Sequence, residues 1–138
     1  MAMFQLQRYA VANRALPQRH LPSAALTAVL QAVGNADRSM ARQDVPGAHS
    51  SLLSAQSILL VLRGSLNRSA APELVDQLDQ LYDFLVRELG QANLEKSRAR
   101  LLPLVPVITT LRDAFSAAAA QAPITESSVP VVQGGILG

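Results

Sequence analysis

The sequence predicts an all-α fold: an antiparallel four-helix bundle with an N-terminal leader segment and a flexible C-terminal tail. Three observations carry that reading. Hydrophobic residues make up 49% of the 138-residue chain but aromatics only 4%, so the core must be aliphatic and β-favouring aromatics are scarce. Apolar residues recur at helical spacing in several long stretches, as amphipathic helices require. Proline and capping residues separate those stretches, and short connectors favour antiparallel neighbours. The length suits one domain with one core.

Residues 1–21 read as a leader, with Pro17 and Pro22 marking its end. The first helix is expected from about Ser23 to Gln43. Ser23 is its N-cap, and Leu26, Val29, Leu30, Val33 and Met40 form its stripe. Asp44 is a natural N-cap for a second helix, about Val45 to Leu66, with Pro46 in its first turn and Asn67 at its end. Ile58-Leu59-Leu60-Val61-Leu62 places large apolar groups at every angle of that helix. A helix apolar all round is usually buried on both sides, so this one is expected to be central or to await a partner.

The third helix starts near Ser69, with Pro72 in its first turn and Glu73 set against the helix dipole. Leu74, Val75, Leu78, Leu81, Tyr82, Leu85 and Leu89 define its inner face. Glu73, Asp76, Asp79 and Asp83 are expected on a solvated outer face, while Phe84 and Val86 fall outside the stripe and suit a second layer. A fourth helix, roughly Ser97 to Gln121, carries Leu101, Leu104, Val105, Ile108, Leu111 and Phe115. Pro103 and Pro106 require that it begin later or kink. Residues 22–121 thus form the bundle. Residues 122–138 have no helical period and read as a mobile tail, although Val129, Val131, Val132, Ile136 and Leu137 are available to fold back.

Composition excludes several classes. A net charge of +2, from twelve scattered basic and ten acidic residues, is no nucleic-acid footprint. The local clusters Arg8, Arg14, Arg19 and Lys96, Arg98, Arg100 read as solvated faces. There is no cysteine, hence no disulfide or thiolate metal site, which suits a reducing cytosol. The first twenty residues lack the apolar core of a signal peptide, and no uninterrupted apolar run is long enough to predict a transmembrane helix.

Chemistry is equally sparse. His20 and His49 have no carboxylate or second histidine at helical ligand spacing. No serine lies in a glycine-flanked elbow, and Gly134-Gly135 has neither flank of a phosphate loop. The acids of the third helix read as solvated rather than as a catalytic pair. No enzyme, cofactor or metal is expected. What remains is surplus apolar surface on the second and fourth helices, which marks a protein-binding site unless the four helices pack unusually tightly or the chain dimerises.

From about Ala36 to Phe115 the chain resembles, without gaps, the FliS-type flagellin chaperones of bacterial flagellar export. The resemblance rests on Arg42-Gln43-Asp44-Val45, Ala55-Gln56-Ser57-Ile58 and Ser65-Leu66-Asn67. It continues through Leu81-Tyr82-Asp83-Phe84, Leu89, Ala92-Asn93-Leu94, and Leu111-Arg112 with Phe115. The chain departs from the family pattern at Arg14-Ala15-Leu16-Pro17, at Leu26-Thr27-Ala28-Val29, and at Pro103 and Pro106.

The resemblance implies a cytosolic bundle that binds the C-terminal region of flagellin, prevents premature polymerisation and delivers the subunit to the type III export apparatus. Ile58, Leu59 and Leu62, with Leu78, Tyr82 and Leu85, are the expected core-plus-groove contacts for such a client. Phe4, Leu6 and Tyr9 of the leader are suited to cover an empty groove. The alternatives are a regulatory adaptor for another flagellar or secretion protein, or a structural bundle that dimerises; a monomer or weak homodimer is expected.

Overall fold

Helical stripes of aliphatic side chains become four long helices and one single-turn helix. The computed structural model describes residues 21–121. They comprise α1 (Leu21–Ala41), α2 (Val45–Gly64), α3 (Pro72–Glu95), α4 (Arg98–Leu101) and α5 (Leu104–Gln121). No strand occurs among the described residues, and the all-α bundle read from the sequence is the fold.

Several boundaries differ from expectation for local reasons. α1 begins at Leu21, so Pro22 and Ser23 lie inside its first turn rather than before it. Proline is tolerated there because first-turn N–H groups have no helical partner. α2 ends at Gly64, with Ser65 rather than Asn67 at its C-cap and the Ser65 hydroxyl donating to the Leu62 carbonyl at 2.9 Å. α3 starts at Pro72. The predicted fourth helix is two pieces. Ser97 caps α4 by accepting from the Arg100 N–H at 3.1 Å, the chain breaks at Leu102-Pro103, and α5 restarts at Leu104. Pro106 then falls in a first turn, where its missing N–H costs little.

Two connections are made by the same device. Gln43 and Lys96 adopt left-handed backbone, φ 61° and 49°. After α1, Asp44 N–H reaches the Ser39 carbonyl at 2.8 Å and Gln43 N–H the Met40 carbonyl at 3.0 Å. After α3, Ser97 N–H reaches Ala92 and Lys96 N–H reaches Asn93. Both are Schellman motifs, which use the otherwise orphaned last carbonyls and turn the chain sharply. Asp44 serves twice, because its carboxylate also accepts from Gly47 N–H at 3.0 Å to cap α2.

The helices are arranged as an open arc. α1 packs along α2, α2 along α3, and α1 along α5, whereas α3 and α5 do not approach closely. The core runs through the arc, with Leu26, Val33, Leu52, Leu59, Leu85 and Ile108 all fully buried. Because neighbours are antiparallel, one end of the bundle gathers the α1–α2 turn and the α3–α4 turn. The other end holds the start of α1, the end of α2, the start of α3 and the end of α5.

Val45–Gly64 and Arg98–Gln121 both reach a mean hydropathy of 1.3 and are long enough to cross a bilayer by length and composition. Polar residues such as Gln56 and Arg112 interrupt the apolar run in each. Core helices of a bundle meet the same criterion, and here each lays one face on the core: Leu52 and Leu59 from α2, Leu104 and Ile108 from α5.

Candidate protein-binding site

The open side of the arc is an apolar groove between α3 and α5. A hollow of about 530 Å³ at one end is bounded by Leu74, Leu78 and Leu81 of α3 and by Val107, Leu111 and Ala114 of α5. Gln77, Pro106 and Thr110 complete its wall, so no charged side chain lines it. A second hollow of about 490 Å³ adjoins it at Val107 and runs past Phe84 to Pro103. There Glu88, Glu95 and Arg100 add charge to an otherwise largely apolar lining. The groove is therefore graded, apolar at the α5 C-terminal end and charged at the other. Such a surface fits an amphipathic helix or an extended apolar segment.

The groove arises from two adjacent stripes on each wall. On α5, Leu104, Ile108, Leu111 and Phe115 face the core, while Val107, Thr110 and Ala114 form a parallel row one position round. On α3, Leu78, Leu85 and Leu89 face inward, with Gln77, Leu81 and Phe84 flanking them. Phe84 remains 41% exposed. The expectation that Phe84 lies off the main stripe is met, and it faces the groove.

Most of the residues expected from the sequence as core-plus-groove contacts take the core part of that role. Leu59, Leu62, Leu78, Tyr82 and Leu85 are buried in the core, and Ile58 is half-buried against it. Only Leu78 also touches the groove floor. Phe4, Leu6 and Tyr9 lie outside the described residues. The groove-lining Val107, Thr110 and Ala114 were not singled out from the sequence, although their i, i+3, i+7 spacing was there to be read. α2 is not covered on both sides. It packs on α1 and α3 and leaves Leu53, Leu60 and Val61 facing outward, the last 72% exposed.

Charged residues read as solvated hold the helices together instead. Arg63 of α2 donates from Nε to Asp79 at 2.7 Å and from a terminal nitrogen to Asp83 at 3.1 Å, both on α3. That hydrogen bond draws the Asp79 carboxyl below its ordinary range and, from the other side, raises the Arg63 guanidinium. Arg98 pairs with Asp37 of α1 at 2.6 Å, and Arg100 bridges Glu95 and Glu88 of α3 at 3.1 and 3.2 Å. Both guanidiniums are raised by these contacts, Arg100 most by its hydrogen bond to Glu95. At the turn end, buried Asn93 donates to His49 Nδ1 at 2.9 Å while its side-chain oxygen accepts from Lys96 Nζ at 2.8 Å. His49 is therefore a hydrogen-bonded partner of α3 rather than a bare surface residue.

The family described as flagellar protein FliS matches residues 6–122 of the sequence. The chain belongs to the FliS family. That match takes in all five helices and both walls of the groove, and extends the resemblance read from Ala36 to Phe115 in both directions. The flagellar secretion chaperone FliS of Bacillus subtilis (strain 168) is 30% identical over 83 residues, which are 60% of this chain and 61% of that relative. The flagellar secretion chaperone FliS of Vibrio cholerae serotype O1 is 29% identical over 77 residues, 56% of this chain and 57% of the relative. The chain thus spans about three fifths of the length of these FliS relatives. Phe4 and residues 123–138 fall outside the family match.

Proposed function

We propose that this FliS-family chain is a non-enzymatic flagellar export chaperone of the bacterial cytosol. It binds the C-terminal helical region of flagellin in the α3–α5 groove, keeps it from polymerising prematurely and aids its delivery to the type III export apparatus. The observation that carries the reading is the open, uncharged hollow between Leu74–Leu81 and Val107–Ala114. Both relatives are named as flagellar secretion chaperones, which supports an export role. Client helices lay their apolar faces in such grooves by the helix-in-groove mode, and the cost of ordering the client moderates affinity.

The test is titration of the full chain with the C-terminal region of its own organism's flagellin, followed by calorimetry. A complex with a negative heat-capacity change, weakened by Thr110→Arg in the groove wall, supports the reading. No complex at about micromolar concentration, or binding indifferent to Thr110→Arg, defeats it. Capture of a different flagellar or secretion protein in place of flagellin would favour the adaptor alternative.

A further inference from the structure

The α3–α5 groove opens at the end of the bundle where α5 finishes, and the chain continues from there. Pro123 follows two residues after Gln121 and cannot extend the helix. Beyond Glu126 there is no charged side chain, and the segment Val129-Pro130-Val131-Val132 is the first apolar run. The family match stops at residue 122, so this segment is additional to the shared family region.

Reach and chemistry both suit the groove. Ala114 lies seven residues before Gln121, about 10 Å back along α5 at helical rise. Eight residues separate Gln121 from Val129, an extended reach of roughly 26 Å. A residue before proline favours extended backbone, and Val129 precedes Pro130 in the sequence. In an extended segment residues i and i+2 share one side, which would pair Val129 with Val131. The hollow between Leu74 and Ala114 offers them an apolar, uncharged lining. The leader departs from the same end, through Leu21, but carries Arg8, Arg14 and Arg19 between its apolar residues and the bundle. No carboxylate lines that hollow to meet them.

We propose that residues 129–132 of this chain's own C-terminal segment seat in the α3–α5 groove and must leave before a client enters. The seating stands on the geometry alone; the competition rests on the client-binding reading above. A tether of this length raises the local concentration of the segment to the order of millimolar, enough for a short apolar segment to compete without binding tightly.

The chain has no cysteine, so introduced pairs report cleanly. Full-length Val131→Cys, Thr110→Cys is oxidised and compared with Leu6→Cys, Thr110→Cys. An intramolecular cross-link in the first pair, formed faster than in the second, supports the proposal. A faster leader cross-link, a predominantly dimeric product, or no cross-link above that of the control overturns it. In a second arm, Val131→Asp in the full chain is titrated with the flagellin C-terminal region. If the segment covers the groove roughly nine-tenths of the time, affinity rises about tenfold. Unchanged affinity in a chain that does cross-link overturns the competition, whereas failure of flagellin to bind either form removes the function reading and leaves the cross-link to judge the seating.

Discussion

Arg63 Nε on α2 meets Asp79 Oδ1 on α3 at 2.7 Å, and a second nitrogen of the same guanidinium reaches Asp83 one turn further along. One planar donor thus clamps two carboxylates of a face whose spacing alone reads as solvated. Arg68 adds a contact to Asp76 at 2.9 Å, and Arg87 one to Asp83 at 2.9 Å, so the α2–α3 seam carries a small ion-pair network.

The Arg63–Asp79 pair makes stability depend on acid. Asp79 is held below its ordinary pKa in the fold, so the folded chain binds fewer protons than the unfolded one near that range. Its contribution is present above the unfolded value of about 3.9 and is lost as pH falls through the lower folded value. Asp79→Asn should unfold at lower urea than wild type at neutral pH and lose less of its remaining stability below about pH 4. Urea midpoints measured at several pH values check this; parallel acid limbs in the two proteins would refute it.

Core and groove should separate cleanly by mutation. Leu85 is fully buried, and Leu85→Ala should cost about 2–5 kcal/mol of stability. Thr110 is exposed and lines the groove, so Thr110→Arg should change stability by no more than about 0.5 kcal/mol while blocking client entry. Denaturant unfolding and client titration on both variants give opposite rankings if the assignment is right.

The helical glycines differ by what surrounds them. A Cβ at Gly34 would meet only the Arg38 guanidinium, at ordinary contact distances of 3.6 and 3.8 Å. Gly34→Ala should therefore stabilise by about 1 kcal/mol through helix propensity. At Gly47 a Cβ would press on the Asp44 carboxyl and the Ser39 hydroxyl. Gly47→Ala should disturb the α2 cap and lose about 1 kcal/mol. Thermal unfolding of the two alanine variants should move in opposite directions.

Left-handed Gln43 and Lys96 should respond differently to glycine. Gln43→Gly relieves a backbone cost of roughly 1 kcal/mol, partly offset by the extra freedom of unfolded glycine, so a small gain is expected. Lys96→Gly removes the Nζ contacts to the Asn93 carbonyl and side-chain oxygen at 2.6 and 2.8 Å, and a net loss is expected. Equal shifts in denaturant midpoint for both would show that those contacts carry no weight.

The helices, and the Asp44 cap of α2, were legible in the chain itself. Asp44 before Val45-Pro46, and Pro72 before a run of leucines at helical spacing, are local signals that act within one or two turns. The start of α1 and the end of α2 were displaced by about two residues, because terminal turns draw on backbone partners that spacing does not show. The site was much less legible. Large apolar residues such as Leu59, Tyr82 and Leu85 score highly for any apolar role, and the fold spends them on its core. The groove is lined instead by the second row, where Thr110 and Ala114 are modest residues.

By itself the sequence determined the helical class, the order of the elements and membership of a family with a shared pattern, since each depends on local periodicity and residue order. The tertiary structure alone decided that α3 and α5 stand apart while the other neighbours close up. It also decided that Arg63 spends its charge on Asp79 rather than on water. Both depend on which faces meet across the bundle, and a helix's own periodicity shows how wide its apolar arc is without showing how much of that arc a neighbour covers.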